Sequence, residues 1–191
     1  MEPCEKKQGE YVEKLITART RLLCSHGFYG VMLMHMNFAL KDTIETAQTD
    51  GQKTYFSPQF LDRLNDAELE FVLLHELLHV ALQHCSRYGT KNKVLFNLAC
   101  DIVVNSHILY ENDMDESSIT ICDYGVSIHK APNDEEGYLY TAEEVYQMLL
   151  DDPNFASPQQ RWDNHETWGL FPLDSPIVTA WKQYFQNACI F

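Results

Sequence analysis

His75-Glu76-Leu77-Leu78-His79 sets two imidazoles four residues apart, with a carboxylate beside the first. At 3.6 residues per turn, His75 and His79 project from one helical face, close enough for both to bind one metal ion. Glu76 lies about 100° further round. There it can reach a water on that metal and act as general base instead of ligand. The run is Phe71-Val-Leu-Leu before the motif and Val80-Ala-Leu after it. Burying two histidines and a glutamate in such surroundings is costly unless they have partners. That favours a metal site over two structural histidines. The helix that must present them starts at Asn65, where Glu68 three positions on completes a capping box, and is expected from Asp66 to Ser86.

A catalytic zinc takes three protein ligands and keeps a position open, two histidines and a carboxylate being one common set. The third ligand is sought in Val94–Tyr110, an apolar helical pattern with Asn97, Asp101 and Asn105 at i, i+4 and i+8. Asp101 sits between Ala-Cys and Ile-Val-Val, where a carboxylate needs a partner or a metal. It is the expected ligand, with His107 and Glu111 as rivals and a core-network aspartate as the non-functional alternative. Asn105, one turn on, is placed to orient a ligand. His84 extends the pattern to a third histidine. Five residues beyond His79, it stands about 140° away on a continuous helix, off the metal face unless the helix ends first, and reads as a residue behind the ligands or on the surface.

The remaining elements frame this pair of helices. A helix is expected over 9–25 and a buried strand over Val31–Phe38, with His35 a sheet histidine. A hairpin of Thr43–Ala47 and Lys53–Phe56 turns about Asp50-Gly51. A short helical turn follows from Pro58 to Leu64. The acidic stretch 111–137 is too long for a simple connection and reads as a lid. Thr141-Ala-Glu-Glu144 caps a further helix through Leu150, and a last helix runs from Pro176 to Cys189. Between them lies a polar and aromatic cluster, Arg161 to Trp168. An oxyanion stabiliser is expected from His165, Tyr138 or Tyr140. His165 is preferred, and is alternatively a fourth ligand closing the site. Substrate pairing is expected along an edge strand near Thr54–Ser57.

The 191 residues fit one domain with a core of about 10–170, leaving 171–191 as the start of a C-terminal extension or following region. A formal charge of −14 argues against binding the phosphate backbone of nucleic acid. No apolar run is long enough to span a bilayer, and the polar N-terminal stretch lacks a signal-peptide core. The six cysteines form no C-x-x-C pair. They read as free thiols of a cytoplasmic protein, with Cys24 and Cys100 as small core residues.

Several of these motifs occur together in one order: Asp50-Gly51, Phe56-x-Pro58-x-Phe60, His75-Glu76-Leu-Leu-His79-Val, Asn97-Leu-Ala-Cys-Asp101-x-x-x-Asn105 and Thr141-Ala-Glu-Glu-Val-Tyr146. That order resembles the metallopeptidase-like domain found in bacterial proteins ahead of a von Willebrand A-like domain. An Asp163-x-His165-x-x-Trp168 run also looks familial. The resemblance implies an α+β, zincin-like fold, with a small mixed sheet beside the motif helix. It also implies a von Willebrand A-like partner domain in the longer protein. The combined expectation is a peptidase with Zn²⁺ on His75, His79 and Asp101, Glu76 as base and His165 assisting. Its partner is a peptide or protein substrate. The rival is a metal-containing module that acts in assembly without hydrolysis.

Overall fold

The computed structural model describes residues 3–115, 128–152, 168 and 172–189. Eight helices and three strands are formed within them: α1 (Pro3–Ser25), α2 (Gly27–Leu33), β1 (Asn37–Leu40), β2 (Ala47–Thr49), β3 (Lys53–Phe56), α3 (Pro58–Arg63), α4 (Asp66–Ala81), α5 (His84–Arg87), α6 (Lys93–Glu111), α7 (Ala142–Asp151) and α8 (Pro176–Ala188). A 3₁₀ turn, Gly137–Leu139, precedes α7. The described residues therefore form a mixed α and β fold, mostly helical, with one small sheet.

Helix α4 is the centre. Phe71 to Val80 are buried without interruption, as expected of a helix apolar on nearly every face. Its start is fixed by the capping box. Asn65 Oδ1 accepts from Glu68 N at 3.0 Å and Glu68 Oε2 accepts from Asn65 N at 2.7 Å. Thr141 and Glu144 close α7 in the same way. Around α4 pack α1, α2, α6, α8 and strand β2. Phe56, Phe60, Phe96, Leu69, Leu73 and Leu77 fill the space between them.

The sheet order is β1-β3-β2, with β1 parallel and β2 antiparallel to β3. Gly51, at φ 90°, makes the β2–β3 turn, and Asp50 Oδ1 accepts from the backbone of Gln52 and Lys53. The expected turn and its second strand are present, but the first strand is Ala47–Thr49 and not Thr43–Ala47, because the tight turn at Gly51-Gln52 pairs the residues immediately before it with β3. The Thr54–Ser57 side of the hairpin is not an edge, because β3 carries a neighbour on both sides. The edges are β1 and β2.

The strand expected over Val31–Phe38 is also displaced. Residues 27–33 form α2, and the strand begins at Asn37. A short apolar run fits a buried strand and a buried helix equally well by pattern. Packing decides it: Gly30 lies so close to α1 that a Cβ there would sit 2.2 Å from Leu23 Cα. His35 is exposed and stacks on Tyr184, 3.8 Å between ring centroids.

Of the stretch expected to be a lid, residues 128–137 pack down on α6. A Cβ on Gly137 would lie 2.6 Å from Ile102 O. Cys100 is a core residue as expected, its thiol pushed well up by burial, with the Asp101 charge adding to the shift. Cys24 is exposed instead. Among the described residues no helix is long and apolar enough to cross a membrane.

Candidate metal centre

Helices α4 and α6 pack side by side and bring three side chains together. His75, His79 and Asp101 each offer one ligand atom, all within 4.8 Å of one another and all buried. The imidazole Nε2 atoms are 2.8 Å apart. Asp101 Oδ1 stands 3.3 Å from His79 Nε2 and 3.7 Å from His75 Nε2. Among the described residues this is the sole His, Cys, Asp and Glu group with such geometry, so the rivals His107 and Glu111 are not part of it. His107 packs beside Tyr138 instead, and burial lowers its pKa.

The polar stripe on α6 is used along its whole length. Asn97 Nδ2 donates to Asp101 Oδ2 at 3.1 Å, leaving Oδ1 as the oxygen facing the histidines. Asn105 Nδ2 donates to Ile128 O at 2.9 Å, so its Oδ1 is the atom 2.9 Å from His75 Nδ1. An amide oxygen only accepts, which places the proton of His75 on Nδ1 and the lone pair on Nε2. His75 is thereby oriented with its ligating nitrogen toward His79 and Asp101, as an outer hydrogen-bond partner of a metal ligand should arrange.

The loop that supplies Ile128 is itself anchored to α6. His129 Nδ1 and Ser106 Oγ both bond Glu136 Oε2, at 2.9 and 3.0 Å. Gly137 N closes back onto His129 O at 2.9 Å.

Of the two places expected for His84, behind the ligands or on the surface, the structure shows the first, and His84 is not one of the converging ligands. Helix α4 ends at Ala81, not Ser86, and Gln83 takes a left-handed conformation at φ 60°. The reversal swings His84 inward, 1% exposed, with its Nδ1 3.1 Å from His79 Nδ1. The 140° separation holds only on a continuous helix, and Gln83 gives no Gly or Pro signal that the helix stops. The sequence alone assigns Trp168 no role. It stacks at a tilt 5.1 Å from the His79 ring, and its Nε1 donates to Thr49 O at 3.2 Å.

Glu76 is fully buried, one position after His75 on α4. Tyr138 packs on Tyr110, and Tyr140 bonds Asn133 and Glu135. His165 and Asp163 lie outside the described residues.

Two imidazole nitrogens and one carboxylate oxygen, converging from two rigid helices, are a donor set that suits zinc. The Nδ1 contacts of both rings leave Nε2 as the converging atom on each. The arrangement can therefore hold a divalent ion. The model of a family described as a putative metallopeptidase domain matches residues 10–166. The chain belongs to that family. The match spans the hairpin, both site helices and α7, so the family's region contains the whole His75–His79–Asp101 cluster. No curated protein and no solved structure matches the chain.

Proposed function

We propose that this domain is a zinc-dependent peptide-bond hydrolase of zincin-like design. The observation that carries the reading is the convergence of His75, His79 and Asp101 on one buried point, with Glu76 on the same helix. A purely structural metal site has no need of that glutamate. His75, His79 and Asp101 would hold the ion. When bound, zinc acidifies a water and polarises a carbonyl group.

The chain's own groups supply the rest. Glu76 takes the proton of the attacking water and returns it to the leaving amine, a task worth typically 10²–10⁴-fold. Asn105 and Asn97 hold the ligands in register, so no reorganisation is needed at the moment of reaction. His165 is the candidate for stabilising charge on the carbonyl oxygen. A bacterial origin and a following von Willebrand A-like domain belong to the same proposal on the motif order alone; a cytoplasmic setting is proposed from the scattered cysteines, which form no C-x-x-C pair.

The non-hydrolytic assembly module is favoured by one feature. Thr46 O and Asp50 N face β3, so by alternation the Thr49 carbonyl points outward from the sheet. Trp168 Nε1 occupies Thr49 O, and Trp181 Nε1 occupies Gly51 O at 2.8 Å. A peptide pairing with the β2 edge at Thr49 would have to displace the Trp168 indole, while Trp181 holds the adjoining turn.

The two readings separate on Glu76→Gln. The zinc-loaded wild type and variant are incubated with a library of unstructured peptides, and cleavage is followed by mass spectrometry. The hydrolase reading expects zinc retained in both and cleavage reduced at least ~100-fold in the variant. Equal turnover would remove Glu76 from the chemistry. Zinc retained with no cleavage by either protein would favour the assembly module.

A further inference from the structure

The geometry points to His84 as the positioning residue for His79: it accepts the Nδ1–H hydrogen bond of His79 when Nε2 of that ring is given to the metal. The inference rests on the reading of His75, His79 and Asp101 as the metal site.

Three observations carry it. First, the two Nδ1 atoms are 3.1 Å apart, and the rings are tilted 65° with centroids 5.2 Å apart. That is an edge-on hydrogen bond between nitrogens, not a stacked pair. Second, the contact is built. Gln83 adopts φ 60° to turn the chain, and Arg87 fastens the turn from both ends. Its Nη1 donates to Leu82 O at 2.9 Å, while Nε and Nη2 grip Glu143 on α7. Ser86 Oγ adds a bond to Gln83 O at 3.1 Å. Third, Trp168 lies against both rings, 5.1 Å from His79 and 6.3 Å from His84, so the pair is clamped on its flank.

The choice of an imidazole has a consequence. The two ring nitrogens of a neutral histidine are one donor and one acceptor. A carbonyl or carboxylate in the place of His84 could only accept. An imidazole satisfies His79 Nδ1 from either side. Without metal, His79 Nε2–H can donate across 2.8 Å to His75 Nε2, and His84 then donates to His79 Nδ1. With Nε2 of both rings given to a metal, the proton between the two Nδ1 atoms belongs to His79 and His84 accepts it. In that exchange His79 Nε2 gives up one proton and His84 Nε2 gains one, so the pair's charge is unchanged. Asn105 does not change role, because its amide is held by Ile128 O in both cases. His79 is thus the ring that adapts, and His84 is what lets it.

The test uses the full chain and zinc alone, read by competition with a chromophoric chelator. His84→Leu keeps bulk but removes the acceptor. His84→Asn keeps an oxygen near the position of Nδ1. We expect His84→Leu to weaken zinc binding by 10–100-fold, the usual effect of losing an outer partner of a metal ligand, and His84→Asn to recover all but about threefold of it. Thermal unfolding of the metal-free proteins checks that all are folded. Long-range ¹H–¹⁵N spectra of the zinc-bound wild type should show His79 protonated at Nδ1 and His84 protonated at Nε2. Zinc bound equally tightly by His84→Leu would overturn the inference, as would equal losses in the Leu and Asn variants or a His79 that ligates through Nδ1. Asp101→Ala is run alongside. If it too leaves affinity unchanged, the metal site itself is misplaced; if it weakens binding while His84→Leu does not, the role of His84 alone falls.

Discussion

Asn105 on α6 holds His75 on α4 across a 2.9 Å hydrogen bond between Oδ1 and Nδ1, and its amide nitrogen is tied in turn to Ile128 O. A single side chain thus joins the two site helices and the loop behind them, and sets which nitrogen of His75 faces the metal position. Both groups are buried, so water cannot substitute cheaply for either bond.

Replacing Asn105 with Leu strips His75 Nδ1–H of this acceptor. A buried donor left unsatisfied costs about 1–3 kcal/mol, and the freed ring is no longer held with Nε2 inward. Chemical denaturation should show that loss in the metal-free protein, and chelator competition should show zinc held 10–100-fold more weakly. A variant unchanged on both measurements would mean that Asn105 neither anchors the loop nor orients the ring.

Gly137 tests the loop itself. A methyl group there meets Ile102 O at 2.6 Å and His129 O at 3.0 Å, both backbone atoms. Gly137→Ala should therefore destabilise the fold by about 1–3 kcal/mol, as overpacking does. Because the same loop carries Ile128 O, zinc affinity should fall with it. A urea midpoint equal to that of the wild type would show that the loop can lift from α6 without penalty.

The reversal before His84 depends on Gln83 at φ 60°. The left-handed region costs an L-residue about 1–2 kcal/mol, and a β-branched side chain tolerates it worst. Gln83→Gly should keep both stability and zinc affinity, whereas Gln83→Val should lower both. Circular dichroism melts with and without zinc measure this. A Val variant as stable as the Gly variant would argue that the turn is not left-handed in solution.

The site was legible where chemistry and periodicity coincide. His75, Glu76 and His79 were read from helical spacing, and Asp101 and Asn105 from a polar stripe that an apolar helix would not carry without cause. Both capping boxes were readable because the residues that close them are three positions apart. What was hidden depends on contacts between distant segments. Residues 31–33 look equally apolar as strand or helix, and the close approach of Gly30 to Leu23 decides between them. Which of its two places His84 takes is not legible because nothing local announces the end of α4. The turn is held by Arg87 through Glu143, 56 residues further on. The edge of the sheet is not legible locally because strand order is a tertiary fact: β1, arriving before the hairpin, pairs with β3 and makes it central.

Everything proposed for the domain depends on one buried ion held by His75, His79 and Asp101. The most direct measurement is the metal content of the purified chain and of Asp101→Ala by elemental mass spectrometry, with an anomalous-scattering map at the zinc edge for the wild type. The account predicts about one zinc per chain in the wild type, an anomalous peak between the two Nε2 atoms and Asp101 Oδ1, and clearly reduced occupancy in the variant. A wild type without stoichiometric metal, a peak elsewhere, or full occupancy after removal of Asp101 would contradict it.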